Sequence, residues 1–215
     1  MLLSLEYEVA GQRSELTNSE LLDLRRAVPA DIVNLLELET VVLYLLAREN
    51  PMPGVVCELG SYMGGSVIPL ALGAARSKHS NTVIAVDDHE WHRHAVAEVD
   101  SSLIERLPST LPIFEQNLEL AGVADRVRTV VSDTAAAAAR VDSGVSLLLV
   151  DAGHDERSLR ADIRAWLPKI AGGGIAAFHD YRNSAWPDVE RIVDQLRADF
   201  TAFTALQTLA LGRIA

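Results

Sequence analysis

A single cysteine, Cys57, occurs in this chain of 215 residues. That excludes an intramolecular disulfide and any metal cluster built on several thiolates, and it fits a reducing compartment. Aromatic residues make up only 5% of the chain. Long hydrophobic runs are missing too: the longest apolar stretches are strand-sized, too short to cross a bilayer. Residues 1–13 carry glutamates early and lack a basic region followed by a long apolar run, so they do not read as a signal peptide. Positive charge is scarce, with 19 Lys and Arg against 30 Asp and Glu and a formal net charge of −11. A surface this acidic repels phosphate backbones and anionic headgroups, which argues against nucleic acid and membranes as partners. The expectation is a cytoplasmic protein acting on a small molecule. A homo-oligomer is neither indicated nor excluded.

What is present is an alternating pattern. Residues 18–49 show helical periodicity, with Leu21, Leu22 and Leu24 in one stretch and Ile32, Leu35, Leu36, Val41, Val42 and Leu45 in another. Pro51-Met52-Pro53-Gly54 then breaks the chain. Residues 1–50 read as a helical cap on a single globular unit formed by residues 51–215. Strands are expected from Val55, Thr82, Val127, Ser146 and Ile175, with helices between them, and the glycines 172–174 are expected to stop a helix. Two short strands near 200–206 and 209–214 close the chain as a hairpin. Apolar strands separated by helices signal a parallel sheet covered on both faces. The fold class is therefore α/β: a doubly wound, Rossmann-like sheet, mostly parallel, with a C-terminal antiparallel hairpin.

In such sheets ligands bind at the carboxyl ends of the strands. Those ends carry Glu58, Asp87 with Asp88, Asp133, Asp151 and Asp180. One acid there is an ordinary helix cap. A whole row of them repels itself unless hydroxyl or amine donors, a cationic ligand or a metal offset the charge.

The turn Glu58-Leu59-Gly60-Ser61-Tyr62-Met63-Gly64-Gly65-Ser66 joins the first of these strands to its helix. Its glycines permit close approach of a ligand to the backbone. It lacks the spacing of a nicotinamide fingerprint and the lysine of a phosphate-binding loop. Led by Glu58, it suits a ligand carrying both an ammonium and a carboxylate, such as an amino acid. Asp87 closes the next strand, where an acid holds ribose hydroxyls in this architecture. Amino acid plus ribose is the outline of S-adenosylmethionine, and Asp133 could meet its adenine edge. For Thr134 the plainer reading, a helix cap before the alanine run, is preferred.

Nearly everything after Gly54 resembles the class I methyltransferases, VVCELGSYMGGS matching their first motif and TVIAVDD their second. The segment LLLVDAGHDERSLRADIRAWLPKIAGGGIAAFHDY resembles the branch with macrocin-type and mycinamicin-type sugar O-methyltransferases, and more distantly catechol O-methyltransferase. The resemblance implies cofactor contacts at Glu58, Gly60, Ser61, Gly65, Ser66, Asp87, Asp88, Asp133 and Asp151. It also implies a magnesium site at Asp151 and Asp180 and a general base at His154. The residues agree with these roles: two acids ending neighbouring strands can converge on a hard cation, and an imidazole close by can take a proton near neutral pH. One departure stands out. Where the related enzymes place a second acid or an amide beside the metal aspartate, this chain has His179, either a further ligand or a strand-end residue hydrogen-bonded to the backbone.

The segment His89-Glu90-Trp91-His92-Arg93-His94 is either a contact at the mouth of the site or an exposed, adaptable loop. The stretch from Trp91 to Pro112 is long enough for a lid or an acceptor-binding insertion. Tyr181 and Trp186 either wall the acceptor pocket or pack in the core. Two rival functions remain on the sequence: an NAD-dependent oxidoreductase on a similar sheet, and a non-catalytic protein that binds S-adenosylmethionine.

Overall fold

The computed structural model describes residues 4–9, 12–28, 37–79, 81–90, 108–142 and 144–215. Trp91, His92, Arg93 and His94, most of the expected lid, and Ile32, Leu35 and Leu36 of the cap lie outside the described residues. Strands β1 (Ser4–Val9) and β2 (Gln12–Thr17) pair as an antiparallel hairpin, and helices α1 (Asn18–Ala27) and α2 (Glu37–Arg48) follow. The alternating part runs β3 (Val55–Leu59), α3 (Val67–Arg76), β4 (Thr82–Asp87), α4 (Leu111–Leu120) and β5 (Val127–Val131). It continues through α5 (Thr134–Ala137), β6 (Val145–Val150), α6 (Glu156–Trp166), β7 (Ile170–Phe178) and α7 (Pro187–Leu196) to the hairpin β8 (Phe200–Leu206) and β9 (Leu209–Ile214). No described helix is long and apolar enough to cross a membrane.

The main sheet has seven strands in the order β5-β4-β3-β6-β7-β9-β8. Its first five strands are parallel, β9 runs antiparallel to β7 and β8 antiparallel to β9, so the expected Rossmann-like architecture with a terminal hairpin is what forms. The strand order reverses between β3 and β6, which opens the crevice where ligands bind in such sheets. Period-2 alternation sends side chains to opposite faces. Cys57, Leu59, Ile84, Val86, Leu148 and Val150 bury one face together with Leu159, Ile163, Trp166 and Val189 of α6 and α7. Val56, Val83, Ala85, Leu147 and Leu149 bury the other with residues of α2, α3 and α4.

Two expectations are corrected. The N-terminal region is not purely helical, because it opens with the β1–β2 hairpin. Short strands with scattered polar residues, as in SLEYEV and QRSELT, carry too weak an apolar signal to stand out. The glycines 172–174 do not stop a helix either. The chain leaves α6 at Trp166 and the glycines lie inside β7, where the register against β6 shifts between Val145 and Leu147.

The cap is built into the main core rather than laid over it. Leu16, Leu24, Val41, Tyr44 and Leu45 form its own small cluster. On its other side α2 gives Val42, Leu43, Leu46 and Ala47 to the layer beside α3. The helices approach closely at Gly73, where a Cβ would stand 2.2 Å from the Tyr44 carbonyl oxygen. This placement brings α2, and Glu39 on it, to the carboxyl end of the sheet.

Candidate active site

Backbone hydrogen bonds continue one residue beyond the strands and level the acids along one edge. Gly60 N donates to Val86 O (2.9 Å), Asp151 N to Leu59 O (2.8 Å), His179 N to Val150 O (3.1 Å) and Ser132 N to Asp87 O (3.0 Å). Gly60 itself is dictated by this arrangement: its φ is +88° and a Cβ would stand 2.2 Å from the Asp151 carbonyl oxygen. The glycine-rich turn crosses the end of β6 at this point.

Glu58 is fully buried, and neither of its carboxylate oxygens makes a hydrogen bond of good geometry among the described residues, the Ser66 hydroxyl being the donor close by. Burial pushes its carboxyl well above the usual carboxylate range; the neighbouring Asp151 and Asp87 push the same way, while Ser66 and His179 oppose. The hydroxyl of Ser61 is likewise buried without a partner among the described residues. Ser66 precedes α3 but makes no side-chain cap, and Gly65 is buried beside it in the turn.

Asp87 is partly committed to shaping this pocket. One oxygen accepts from Ser61 N (2.7 Å) and Tyr62 N (2.8 Å), and the other from His89 N (2.6 Å). Asp88 accepts from Glu90 N (2.9 Å). His89 is not part of an exposed loop: its ring is buried against Phe114, with Nδ1 2.9 Å from Thr110 Oγ1 and burial lowering its pKa.

Across the β5 end, Asp133 caps α5 by accepting from Ala136 N (2.9 Å). Thr134 is therefore the first helical residue rather than the cap, and its hydroxyl donates to the buried Asp162 of α6 (2.7 Å). Trp166 Nε1 donates to Thr134 O (2.8 Å), so α6 holds this segment at two points.

Beside this frame, β6 and β7 are hydrogen-bonded neighbours, and the acids that follow them converge. Asp151, His154 and Asp180 each offer a ligand atom, all within 4.8 Å of one another. His154 Nε2 lies 2.7 Å from Asp180 Oδ2 and 3.9 Å from Asp151 Oδ1. Its ring stacks on Trp186. Asp180 adopts a left-handed backbone (φ +58°) and accepts from Asn183 Nδ2 (2.6 Å). Burial would raise its pKa, but His154, His179 and Asn183 hold it well below the usual carboxylate range.

His179 stands among carboxylates on both sides. Nδ1 lies 3.0 Å from Asp151 Oδ1 and 3.3 Å from Asp180 Oδ2, and Nε2 lies 3.4 Å from Glu39 Oε2. Burial alone would lower its pKa; Asp151, Asp180 and Glu39 outweigh that and push it up to about 12. Tyr181, in contrast, turns away from the site: it is buried against Phe203 and its hydroxyl donates to Asp194 (2.8 Å).

One residue that matters here escapes sequence reasoning, Glu39, and Trp186, offered by the sequence as a pocket wall or core residue, is found stacked on His154. Glu39 did leave a signal. It lies three and four residues before Val42 and Leu43, on the face of α2 that packs into the sheet.

A family model described as a methyltransferase domain matches residues 57–181, more than half of the chain. Among solved structures, the chain is similar to the O-methyltransferase NovP, with 19% identity, 82% of this chain and 79% of that one covered, and a TM-score of 0.64. It is similar to the O-methyltransferase TomG from Streptomyces achromogenes, solved with SAM, at 16% identity over 90% of this chain and 89% of that one (TM-score 0.63). An O-methyltransferase from Bacillus cereus, solved with SAH, matches at 20% identity over 92% and 90% (TM-score 0.59). At these identities the likeness is one of fold.

Proposed function

The chain belongs to the methyltransferase-domain family, and on that premise we propose that it transfers the methyl group of S-adenosylmethionine to a hydroxyl of a small molecule, assisted by a divalent cation. The acceptor classes that suit this reading are sugars, polyketide-like molecules and phenols.

The observation that carries it is Glu58. Holding Glu58 as a fully buried carboxylate without a well-placed donor is costly, and a cationic partner offsets that cost. The ammonium of an amino-acid moiety is such a partner, and the unpartnered Ser61 hydroxyl lies in the same turn. Gly60, Gly65 and Ser66 belong to that same turn, which leads into the start of α3. Asp87, flanked by Asp88, keeps lone pairs for ribose hydroxyls while it holds the turn, and Asp133 keeps one oxygen for the adenine edge. Bound S-adenosylmethionine supplies a methyl group made electrophilic by its sulfonium.

The donor set beside it suits a hard divalent ion such as magnesium, with Asp151 and Asp180 as the oxygen ligands and His154 at the edge. A cation held there would lower the pKa of a hydroxyl in contact with it. His154 is the residue to take the hydroxyl proton: its ring is stacked on Trp186 and Nε2 lies 2.7 Å from Asp180 Oδ2, at the edge of the same donor set. The remaining contribution of the protein is alignment of donor and acceptor. Oxygen as the accepting atom is supported by the names of NovP and TomG, and a small acceptor by the net charge of −11.

Calorimetry with S-adenosylhomocysteine and NAD tests the cofactor: the first binds and raises the melting temperature, the second does neither. The reverse result would sink the assignment. Methyl transfer to an acceptor found by screening should then stop on adding EDTA and return with magnesium. Transfer that ignores EDTA removes the cation and leaves methyl transfer standing.

A further inference from the structure

We propose that Glu39 is a positioning residue of the cation site, acting on Asp151 and Asp180 through His179. The inference rests on the reading of those two aspartates as cation ligands. Glu39 comes from α2, outside the segment that the methyltransferase family model matches. Its side chain is fully buried. Oε1 accepts from both Thr208 N (2.9 Å) and Thr208 Oγ1 (2.6 Å), at the turn between β8 and β9, while Oε2 faces His179 Nε2 at 3.4 Å. On the far side of the ring, His179 Nδ1 faces both aspartates. The contacts form one line: Thr208, Glu39, His179, then the two carboxylates.

An imidazole ring can sit flipped by half a turn about its axis, and its neighbours choose the orientation. Glu39 on Nε2 keeps Nδ1 toward Asp151 and Asp180. The same turn is tied to the site a second time, because Tyr181 N donates to Thr208 O (2.9 Å) just beyond Asp180. A methionine or leucine would fill the Glu39 position on the packed face of α2 without burying a charge. A carboxylate there, supplied with two hydrogen bonds from Thr208 and facing the His179 ring, makes sense as an orienting group for the shell behind the ligands.

The test is Mn2+ binding to the full chain, followed by the electron paramagnetic resonance of the free ion, alongside calorimetry with S-adenosylhomocysteine. Glu39→Met should weaken Mn2+ binding about ten- to a hundredfold, the usual size of outer-shell effects, and leave S-adenosylhomocysteine affinity within about twofold. Thr208→Val, which keeps Glu39 and removes one of its donors, should shift Mn2+ affinity less and in the same direction. Wild-type Mn2+ affinity in Glu39→Met overturns the proposal, as does a loss of both ligands in step, the mark of a merely structural residue. Where Glu39→Met does not fold, Thr208→Val decides, and unchanged Mn2+ affinity there overturns it. A wild-type chain that binds S-adenosylhomocysteine but no Mn2+ overturns the cation reading and this inference together, and leaves methyl transfer intact.

Discussion

The ring of Trp186 lies over that of His154, with centroids 4.6 Å apart and planes 20° from parallel. The stack orients the imidazole on one side while Asp180 approaches Nε2. Trp186→Ala should therefore lower kcat for methyl transfer by about ten- to a hundredfold, the scale expected when a catalytic group is misplaced by an ångström. S-adenosylhomocysteine affinity, read by calorimetry, should not change. Trp186→Phe, which keeps an aromatic face, should recover most of the activity.

Replacing Glu58 separates ligand binding from stability. Glu58→Gln removes one charge-assisted contact to an ammonium, worth about 1.5–3 kcal/mol, so S-adenosylhomocysteine should bind about ten- to a hundredfold more weakly. The ligand-free variant should behave in the opposite way. Burial raises the folded-state pKa of Glu58 above the ordinary 4.5, so the folded chain holds this proton where the unfolded chain has released it. Wild-type stability falls relative to Glu58→Gln as pH rises above that value. Denaturant melts at several pH values, without ligand, check the sign.

Gly60→Ala forces a methyl group to 2.2 Å from Asp151 O and 2.6 Å from its carbonyl carbon, at a φ of +88°. Both colliding atoms are backbone and cannot swing aside. The expected loss is about 3 kcal/mol or more, since strain and overlap add. Urea unfolding measures it. A variant as stable as the parent would show that the turn does not cross β6 as described.

Asp162 supplies a pH signature away from the cation site. It is 2% exposed, and burial raises its carboxyl from 3.8 to about 6, the Thr134 hydroxyl opposing and Asp133 adding. The folded chain keeps this proton longer than the unfolded one, so its contribution to stability is present at low pH and lost as pH rises from about 4 to about 6. Asp162→Asn still accepts from Thr134 and lacks this dependence. Its stability relative to wild type should rise by up to about 3 kcal/mol between pH 4 and pH 7. A difference that stays flat across this range would contradict the protonation described.

The boundaries that sequence reading placed well are those of continuous apolar and β-branched runs. Residues 127–131 and 209–214 form strands as their β-branched and apolar composition suggests. Asp151 and Asp180 close neighbouring strands as expected. Reading failed where the local signal is weak or misleading: the polar β1–β2 hairpin, and the glycines that lie within β7 instead of ending a helix. Tyr181 and Trp186 look alike in sequence, yet one packs on Phe203 and the other on His154.

The row of acids at strand ends is a property of the sequence, because burial of each strand and the polarity of the residue that ends it are local facts. Which partner each acid meets is not. Asp87 turns out to hold the glycine-rich turn, and His179 stands between Asp151 and Glu39. Those choices depend on the strand order, on α2 packing beside α3, and on the terminal hairpin bringing Thr208 back to the site. They join residues far apart in the chain, and only the closed core sets such distances.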